Sequence, residues 1–247
     1  MKDAVRKHCA ELDRCNQRGG RMLSIFDLLE AGTVDIELAA RLMARITRGA
    51  SFMVGAQPGG AGKTTVMCAL LNLVPPDCTL AAATPEAVRA AGDNPPAPRT
   101  CFICHEIGAG HWFAYLWGGD LRRYCALQDH GHLLATNLHA DTLEEAHAQV
   151  VRENRVPEQH FTGFDLLLFL RVGGGFGRRQ RIIQTVYQAN GSGHNLVFNA
   201  QGPVQNPFDA NDDWTARCRQ FLETHYDTGC RTIEDSRRRV LEFLAGE

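Results

Sequence analysis

The sequence predicts an α/β fold, in which a mostly parallel sheet is flanked by helices. Its 247 residues contain short apolar runs of strand length at 52–54, 100–107, 132–136 and 164–172. Segments with apolar residues at helical spacing lie between these runs, and this alternation is typical of parallel sheets. A chain of this length can bury a full core as one α/β domain with appendages.

The stretch from residue 52 to 65 combines a strand, a glycine-rich loop and a helix start. It reads Phe-Met-Val-Gly-Ala-Gln-Pro-Gly-Gly-Ala-Gly-Lys-Thr-Thr. This order indicates a P-loop, in which backbone N–H groups at a helix N-terminus surround a triphosphate. We expect Lys63 to reach the β- and γ-phosphates and the Thr64 hydroxyl to ligate Mg²⁺. The residues expected to bind the phosphates are Gly59, Gly60, Ala61, Gly62, Lys63, Thr64 and Thr65.

One position departs from the strict P-loop pattern, which has glycine where this chain has Gln57. We expect Gly55, Gly59 and Gly60 to supply the missing backbone freedom. The alternative is an ordinary glycine-rich turn before a core helix. Lys63 argues against that alternative, because the chain has three lysines among its 26 basic residues. Arginine is a poor substitute for lysine at such a phosphate site.

Composition narrows the class of protein. The net charge of −2 gives no basic footprint for nucleic acid or for an anionic membrane surface. No apolar stretch is long enough to span a bilayer, and the N-terminus has no signal-peptide core. We therefore expect a cytoplasmic protein that can dock peripherally at the inner face of a membrane.

The nine cysteines are scattered, and one pair has the spacing of a metal knuckle. Cys101 and Cys104 lie within a predicted strand, where residues three apart face opposite sides. No second pair of this spacing follows. Buried, reduced thiols are therefore favoured over a zinc site.

The chain before the P-loop is predicted to be helical. Residues 1–18 indicate a short solvated helix with no sign of chemistry. Ser24 can cap a helix over 25–30, and Asp35 begins another over 36–46. After the P-loop helix, a Pro-Pro-Asp turn leads to a candidate strand over 79–83.

The run 100–107 is predicted to be a buried strand that carries Glu106 near its end. P-loop enzymes place there the carboxylate that orients Mg²⁺ or the attacking water. Residues 111–128 are interpreted as a helix whose large aromatic side chains form core or a subunit contact.

The strand 132–136 leads into a polar cluster that contains Asn137 and His139. Open α/β sheets bind ligands at this end of their strands. Either residue is a candidate sensor of the γ-phosphate; the alternative is a histidine that packs and caps the loop. Asp141 or Thr142 then caps the next helix.

A terminal β-hairpin and a helical tail complete the chain. The hairpin pairs 164–172 with 178–187 across a turn at 173–177, and 195–199 is a candidate last strand. A linker at 201–212 precedes helices over 214–224 and 232–244. The predicted domains are an N-terminal helical arm (1–22), a P-loop domain (23–200) and a helical appendage (201–247).

These pieces, taken in order over residues 23–189, resemble the ATPase domain of type II/type IV secretion and pilus motor ATPases, especially the Tad-type and conjugative branch. Asn72-Leu73-Val74-Pro75-Pro76-Asp77 matches the segment after that family's P-loop. The stretch 131–142, Gly-His-Leu-Leu-Ala-Thr-Asn-Leu-His-Ala-Asp-Thr, resembles its histidine box.

The resemblance implies a RecA-like P-loop sheet that binds ATP and Mg²⁺. It assigns Glu106 to the acidic Walker B position, with an indirect role at the metal, and His139 to the residue that senses the γ-phosphate. Lys63, Glu106 and His139 are then the catalytic residues. It also implies a homohexamer with sites between subunits, acting in secretion or pilus machinery. Candidate arginines from a neighbouring subunit are Arg122, Arg123, Arg178 and Arg179, although exposure to solvent at the surface is favoured for them.

The chain also departs from that family. Thr84-Pro85 stands where the family has an acidic pair, although Glu86 follows directly, and Gly108-Ala109 replaces an Arg-Asp pair. The family's large N-terminal domain has no counterpart in residues 1–22. An ATPase is favoured over a nucleotide-binding assembly or regulatory subunit without useful hydrolysis. A nucleic-acid motor is weaker still, since no basic stripe with interleaved aromatics is present.

Overall fold

The computed structural model describes residues 2–15, 20–57, 59–93, 98–173, 180–205, 208, 212–230 and 232–246. The helices are α1 (Lys2–Arg14), α2 (Ile25–Glu30), α3 (Ile36–Thr47), α4 (Lys63–Leu71), α5 (Pro85–Asp93), α6 (Gly118–Ala126), α7 (Leu143–His147), α8 (Glu158–Thr162), α9 (Asp213–Tyr226) and α10 (Ile233–Ala245). The strands are β1 (Phe52–Gly55), β2 (Thr79–Ala82), β3 (Thr100–Ile107), β4 (Tyr115–Leu116), β5 (Leu133–Leu138), β6 (Leu166–Gly173), β7 (Gln180–Ala189) and β8 (His194–Asn199).

The strands form one sheet in the order β2-β3-β5-β1-β6-β7-β8, with β4 paired to the end of β3. Strands β2, β3, β5, β1 and β6 run parallel, and β7 and β8 are added antiparallel. The central strand β1 lies between β5 and β6, so that β5 separates it from β3, as in RecA-like P-loop sheets. The predicted sheet with flanking helices, a C-terminal hairpin and a helical tail is confirmed.

Both faces of the sheet are covered, which explains the nearly continuous apolar sequences of β1, β5 and β6. One face packs against α1 to α4 and the two C-terminal helices, and the other against α5, α6 and the segment from α7 to α8. Cys101 and Cys104 are buried in different clusters, on opposite faces of β3. This arrangement follows from their spacing in a strand.

The helices near the N-terminus begin at the predicted caps. Ser24 and Asp27 form a capping box at α2, and the Asp35 side chain accepts a hydrogen bond from the Leu38 N–H at α3. Helix α1 differs from the expected solvated helix, because Val5, His8, Cys9 and Leu12 are buried along one face. Its neighbour on that side is α10.

The predicted helix over 111–128 is wrong in its first part. Residues 115 and 116 form β4, and α6 begins only at Gly118. The backbone accounts for the difference: His105 N–H donates to the Ala114 carbonyl and Gly108 N–H to that of Leu116, which adds this segment to β3. The aromatic side chains Trp112, Phe113 and Trp117 are exposed and are not core, with Trp112 at 71% exposure, whereas Tyr124 of α6 is fully buried.

The tail is held to the P-loop helix by polar contacts. The buried Arg237 of α10 donates to the carbonyls of Asn72 and Val74, just beyond α4. The Asn72 amide donates in return to the Ile233 carbonyl over 2.9 Å. Within the part of the chain that the structure describes, no helix is long and apolar enough to cross a membrane. The predicted turn at 173–177 lies almost wholly outside the described residues.

Candidate nucleotide-binding site

A cleft of about 580 Å³ opens at the carboxyl ends of β1, β3 and β5. Parallel strands present helix N-termini and loop backbone at this edge, which is where α/β sheets bind ligands. The predicted phosphate-binding and catalytic residues line this cleft, whereas Asn137, the other candidate sensor, is fully buried and is not part of the lining. The lining residues that were predicted are Gly59, Gly60, Ala61, Gly62, Lys63, Thr64, Thr65, Glu106 and His139.

The glycine loop owes its shape to two left-handed residues. Gly60 has φ +84° and Gly62 has φ +97°, and Gly62 is the N-cap of α4. Gln57 has a negative φ, so the structure needs no glycine there. Gly55 does not supply backbone freedom, contrary to our expectation. Glycine fits at position 55 because a Cβ there would lie 2.6 Å from the carbonyl oxygen of Ala140.

Three charged or polar side chains converge behind the loop. The Lys63 Nζ is 3.4 Å from Glu106 Oε2 and 3.1 Å from the Ala56 carbonyl oxygen, to which it donates. His139 places its Nε2 3.6 Å from the same Glu106 oxygen. Lys63 and Glu106 are both buried, so their interaction is screened only weakly by water.

The electrostatics of this cluster favour proton transfer at Glu106. Burial raises the pKa of the Glu106 carboxyl above its ordinary value, and the charges of Lys63 and His139 oppose that shift. The His139 Nδ1 lies 3.0 Å from the Gln57 carbonyl oxygen and 3.3 Å from the Lys63 Nζ. The first contact is a hydrogen bond when Nδ1 carries a proton, and the second when Nδ1 carries a lone pair. In the second case the neutral ring donates from Nε2.

Oxygen atoms suited to a hard cation lie at the start of α4. The Thr64 hydroxyl accepts a hydrogen bond from the Asn137 amide over 3.4 Å, and that amide also donates to the His105 carbonyl. Glu106 Oε1 and Asn137 Oδ1 are buried without a hydrogen-bond partner among the described residues. Buried acceptors seldom remain unpaired. This donor set, with the Thr64 hydroxyl, fits Mg²⁺ and its bound water.

The structure adds residues to the site that the sequence did not reveal. Asp141 accepts a hydrogen bond from the Gln57 N–H over 2.7 Å. Arg181, on β7, donates from Nε to the Gly60 carbonyl. Cys15 also lines the cleft; the neighbouring Cys68 thiol lowers the pKa of the Cys15 thiol, burial opposes that shift, and His105 adds to it. No local pattern could have predicted these contacts, because the partners are far apart in sequence.

The residues at the position of the missing acidic pair do not enter the cleft. Thr84 caps α5 by accepting a hydrogen bond from the Ala87 N–H, and Glu86 is exposed and 3.3 Å from Arg89. Among the described residues that line the cleft, Glu106 is the one carboxylate.

The candidate intersubunit arginines are in part committed to their own chain. Arg122 donates to the Asn154 carbonyl and Arg123 to Asp120. Arg178 and Arg179 lie outside the described residues.

No protein-family model and no curated protein sequence matches the chain. Solved structures with a similar fold include the following two. The VirB11 ATPase from the Brucella suis type IV secretion system, in complex with sulphate, is 21% identical with a TM-score of 0.44, over 66% of this chain and 54% of that one. The Legionella pneumophila ATPase DotB is 12% identical with a TM-score of 0.46, over 92% of this chain and 67% of that one.

Both neighbours are described as ATPases, and the first comes from a type IV secretion system. The chain spans little more than half of the VirB11 protein. At this identity and TM-score the similarity concerns the fold, so activity and partners have to be argued from the chain's own residues.

Proposed function

We propose that the chain is a Mg²⁺-dependent ATPase of the motor type, with its site in the cleft at the glycine loop. The observation that carries this proposal is the convergence of Lys63, Glu106 and His139 behind a loop shaped for phosphate. A buried lysine, a carboxylate with a raised pKa and an imidazole are groups that can promote phosphoryl transfer to water.

Each residue has a distinct task in this proposal. The loop N–H groups and the α4 N-terminus bind the β- and γ-phosphates, and Lys63 neutralises charge that develops on them. Glu106 takes the proton of the attacking water, for which its raised pKa suits it. His139 donates from Nε2 to the γ-phosphate when its Nδ1 accepts from Lys63. When Mg²⁺ is bound through Thr64, it supplies charge neutralisation at the phosphate oxygens.

The second candidate function is a nucleotide-binding assembly or regulatory subunit that turns over slowly or not at all. This function is favoured because Glu106 is the one carboxylate among the described residues that line the cleft. Thr84, at the position where the family has an acidic residue, caps a helix and does not face the cleft. Losing one general base or acid typically costs a factor of about 10²–10⁴ in rate. Both candidates share the same binding site and differ only in hydrolysis.

Assembly and location form part of the same proposal. We take the active form to be a homo-oligomer, a hexamer by the sequence resemblance, at the cytoplasmic face of secretion or pilus machinery. The exposed Trp112, Phe113 and Trp117, at the rim beyond Glu106, support a subunit contact, because large exposed apolar side chains mark interaction surfaces.

The test is Mg²⁺-dependent phosphate release from ATP at several protein concentrations, paired with nucleotide binding by calorimetry. Lys63→Ala should abolish both, whereas Lys7→Ala, which removes an exposed lysine on α1, should change neither. Glu106→Gln should retain binding and lose turnover by about 10²–10⁴-fold. Activity per protein that rises with concentration supports the oligomer. Binding without phosphate release at any concentration would exclude the ATPase in favour of the second candidate.

A further inference from the structure

Arg181 crosses the glycine loop from a different part of the fold. Its Nε donates to the Gly60 carbonyl over 3.1 Å, and its Cδ would lie 3.0 Å from a Cβ placed on Gly62. The side chain therefore lies directly against the two left-handed glycines of the loop. It also lines the cleft and remains exposed.

The backbone of Arg181 is well fixed. It pairs with Val172 across the β6–β7 ladder, and two residues later the Ile183 N–H donates to the Thr33 carbonyl over 2.9 Å. The first residues of β7 are thus held between β6 and the turn that follows α2. A side chain that projects from such a support is aimed before any ligand binds, which reduces the entropy lost on binding.

The guanidinium has hydrogen-bonding capacity left over. Its Nε is used by Gly60, whereas its two terminal amino groups make no hydrogen bond or ion pair with any described residue. Arg21, the other arginine of the cleft wall, is instead engaged by both oxygens of Asp27. Arginine that is charged, exposed and oriented beside a phosphate-binding loop is suited to pair with phosphate oxygens.

We propose that Arg181 is a phosphate-recognition residue of this same chain, which makes the site select for the polyphosphate part of the nucleotide. This inference rests on the proposed nucleotide site. The Nε contact anchors the side chain to the loop, and the terminal amino groups bind the phosphate chain. The β6–β7 hairpin thereby supplies in cis a positive charge at the phosphates, without a second subunit.

The test compares ATP, ADP and AMP binding by calorimetry for the wild type, Arg181→Ala and Arg181→Lys. Arg171→Ala is the matched control, because Arg171 is an exposed arginine on the partner strand outside the cleft wall. Arg181→Ala should weaken ATP binding by about tenfold to a hundredfold, ADP binding by less, and AMP binding little. Arg181→Lys should recover part of the loss, and Arg171→Ala should match the wild type.

Three results would overturn the inference. If Arg181→Ala weakens all three nucleotides equally, the arginine only shapes the loop. If Arg181→Ala binds ATP as tightly as the wild type does, while Lys63→Ala does not bind ATP, the nucleotide site is supported but Arg181 has no part in phosphate recognition. A wild-type protein that binds no ATP would overturn the nucleotide site together with the role of Arg181.

Discussion

Gly55→Ala tests whether the strand before the glycine loop must pack as tightly as the structure shows. An added Cβ would lie 2.6 Å from the Ala140 carbonyl oxygen and 2.7 Å from the ring of Phe169. Neither neighbour can move aside cheaply, because one is backbone and the other is a fully buried aromatic ring. Inserting a methyl group into such a core costs about 1–3 kcal/mol.

This cost translates into a measurable loss of thermal stability. For a chain of this size 1 kcal/mol shifts Tm by about 2–4 °C, so Gly55→Ala should lower Tm by about 2–12 °C. The matched control is Gly59→Ala, four residues further along the chain. Among the described residues no atom lies within 4 Å of a Cβ at Gly59, so stability should change by less than about 0.5 kcal/mol.

The substitution also makes a functional prediction, since Ala140 follows His139 directly. Displacing the Ala140 carbonyl should move His139 away from Glu106 and Lys63. Phosphate release, measured well below the melting temperature, should therefore fall in Gly55→Ala even though the protein is folded. If Gly55→Ala matches Gly59→Ala in melting temperature, the close packing between β1 and the His139 loop is refuted.

Three further predictions concern charge and capping. Burial raises the pKa of Glu106, so the protonated side chain stabilises the folded protein at low pH, and this contribution is lost as pH rises above the ordinary value of 4.5. The Tm of Glu106→Gln should therefore increase relative to that of the wild type between about pH 4 and pH 7. An equal difference in Tm at the two pH values contradicts this prediction. Arg237→Ala should leave two buried carbonyls without a donor, which lowers the free energy of unfolding in urea by about 1–3 kcal/mol for each carbonyl. Arg238→Ala, on the exposed side of α10, is the control and should not change the midpoint of unfolding. Thr84→Glu should lower the free energy of unfolding by about 0.5–2 kcal/mol, because it removes the N-cap of α5. It should not increase phosphate release, because residue 84 does not line the cleft. Increased phosphate release would show that the acidic position can be restored.

The local parts of the fold and site could be predicted from the sequence. The P-loop is contiguous, and Glu106 and His139 each lie at or just past the end of an apolar strand. Because parallel strands end at one edge of a sheet, placing both residues near Lys63 required only the fold class. The strand β3, with bounds Thr100–Ile107, was predicted in full because its apolar run is continuous.

The remaining features depend on contacts that no short window of sequence contains. Arg181 reaches a loop 121 positions earlier in the chain, and Arg237 contacts the end of the P-loop helix from 163 positions away. The segment around Trp112 was mistaken for a helix because aromatic spacing is ambiguous over so few residues. The conformation of this segment is decided by its backbone hydrogen bonds to β3, which are contacts with another strand of the sheet and cannot be seen in a short stretch of sequence.

The one irregular position of the glycine loop gains a physical explanation from the structure. The Gln57 N–H donates to Asp141 and its carbonyl oxygen lies 3.0 Å from the His139 Nδ1, so the loop contacts the segment that carries the proposed γ-phosphate sensor. Its side chain reaches Glu145, which in turn accepts from the Asp141 N–H over 2.7 Å. Glycine would keep the backbone contacts but lose the side-chain contact. Glutamine at this position thus adds a side-chain contact between the loop and the segment that carries His139.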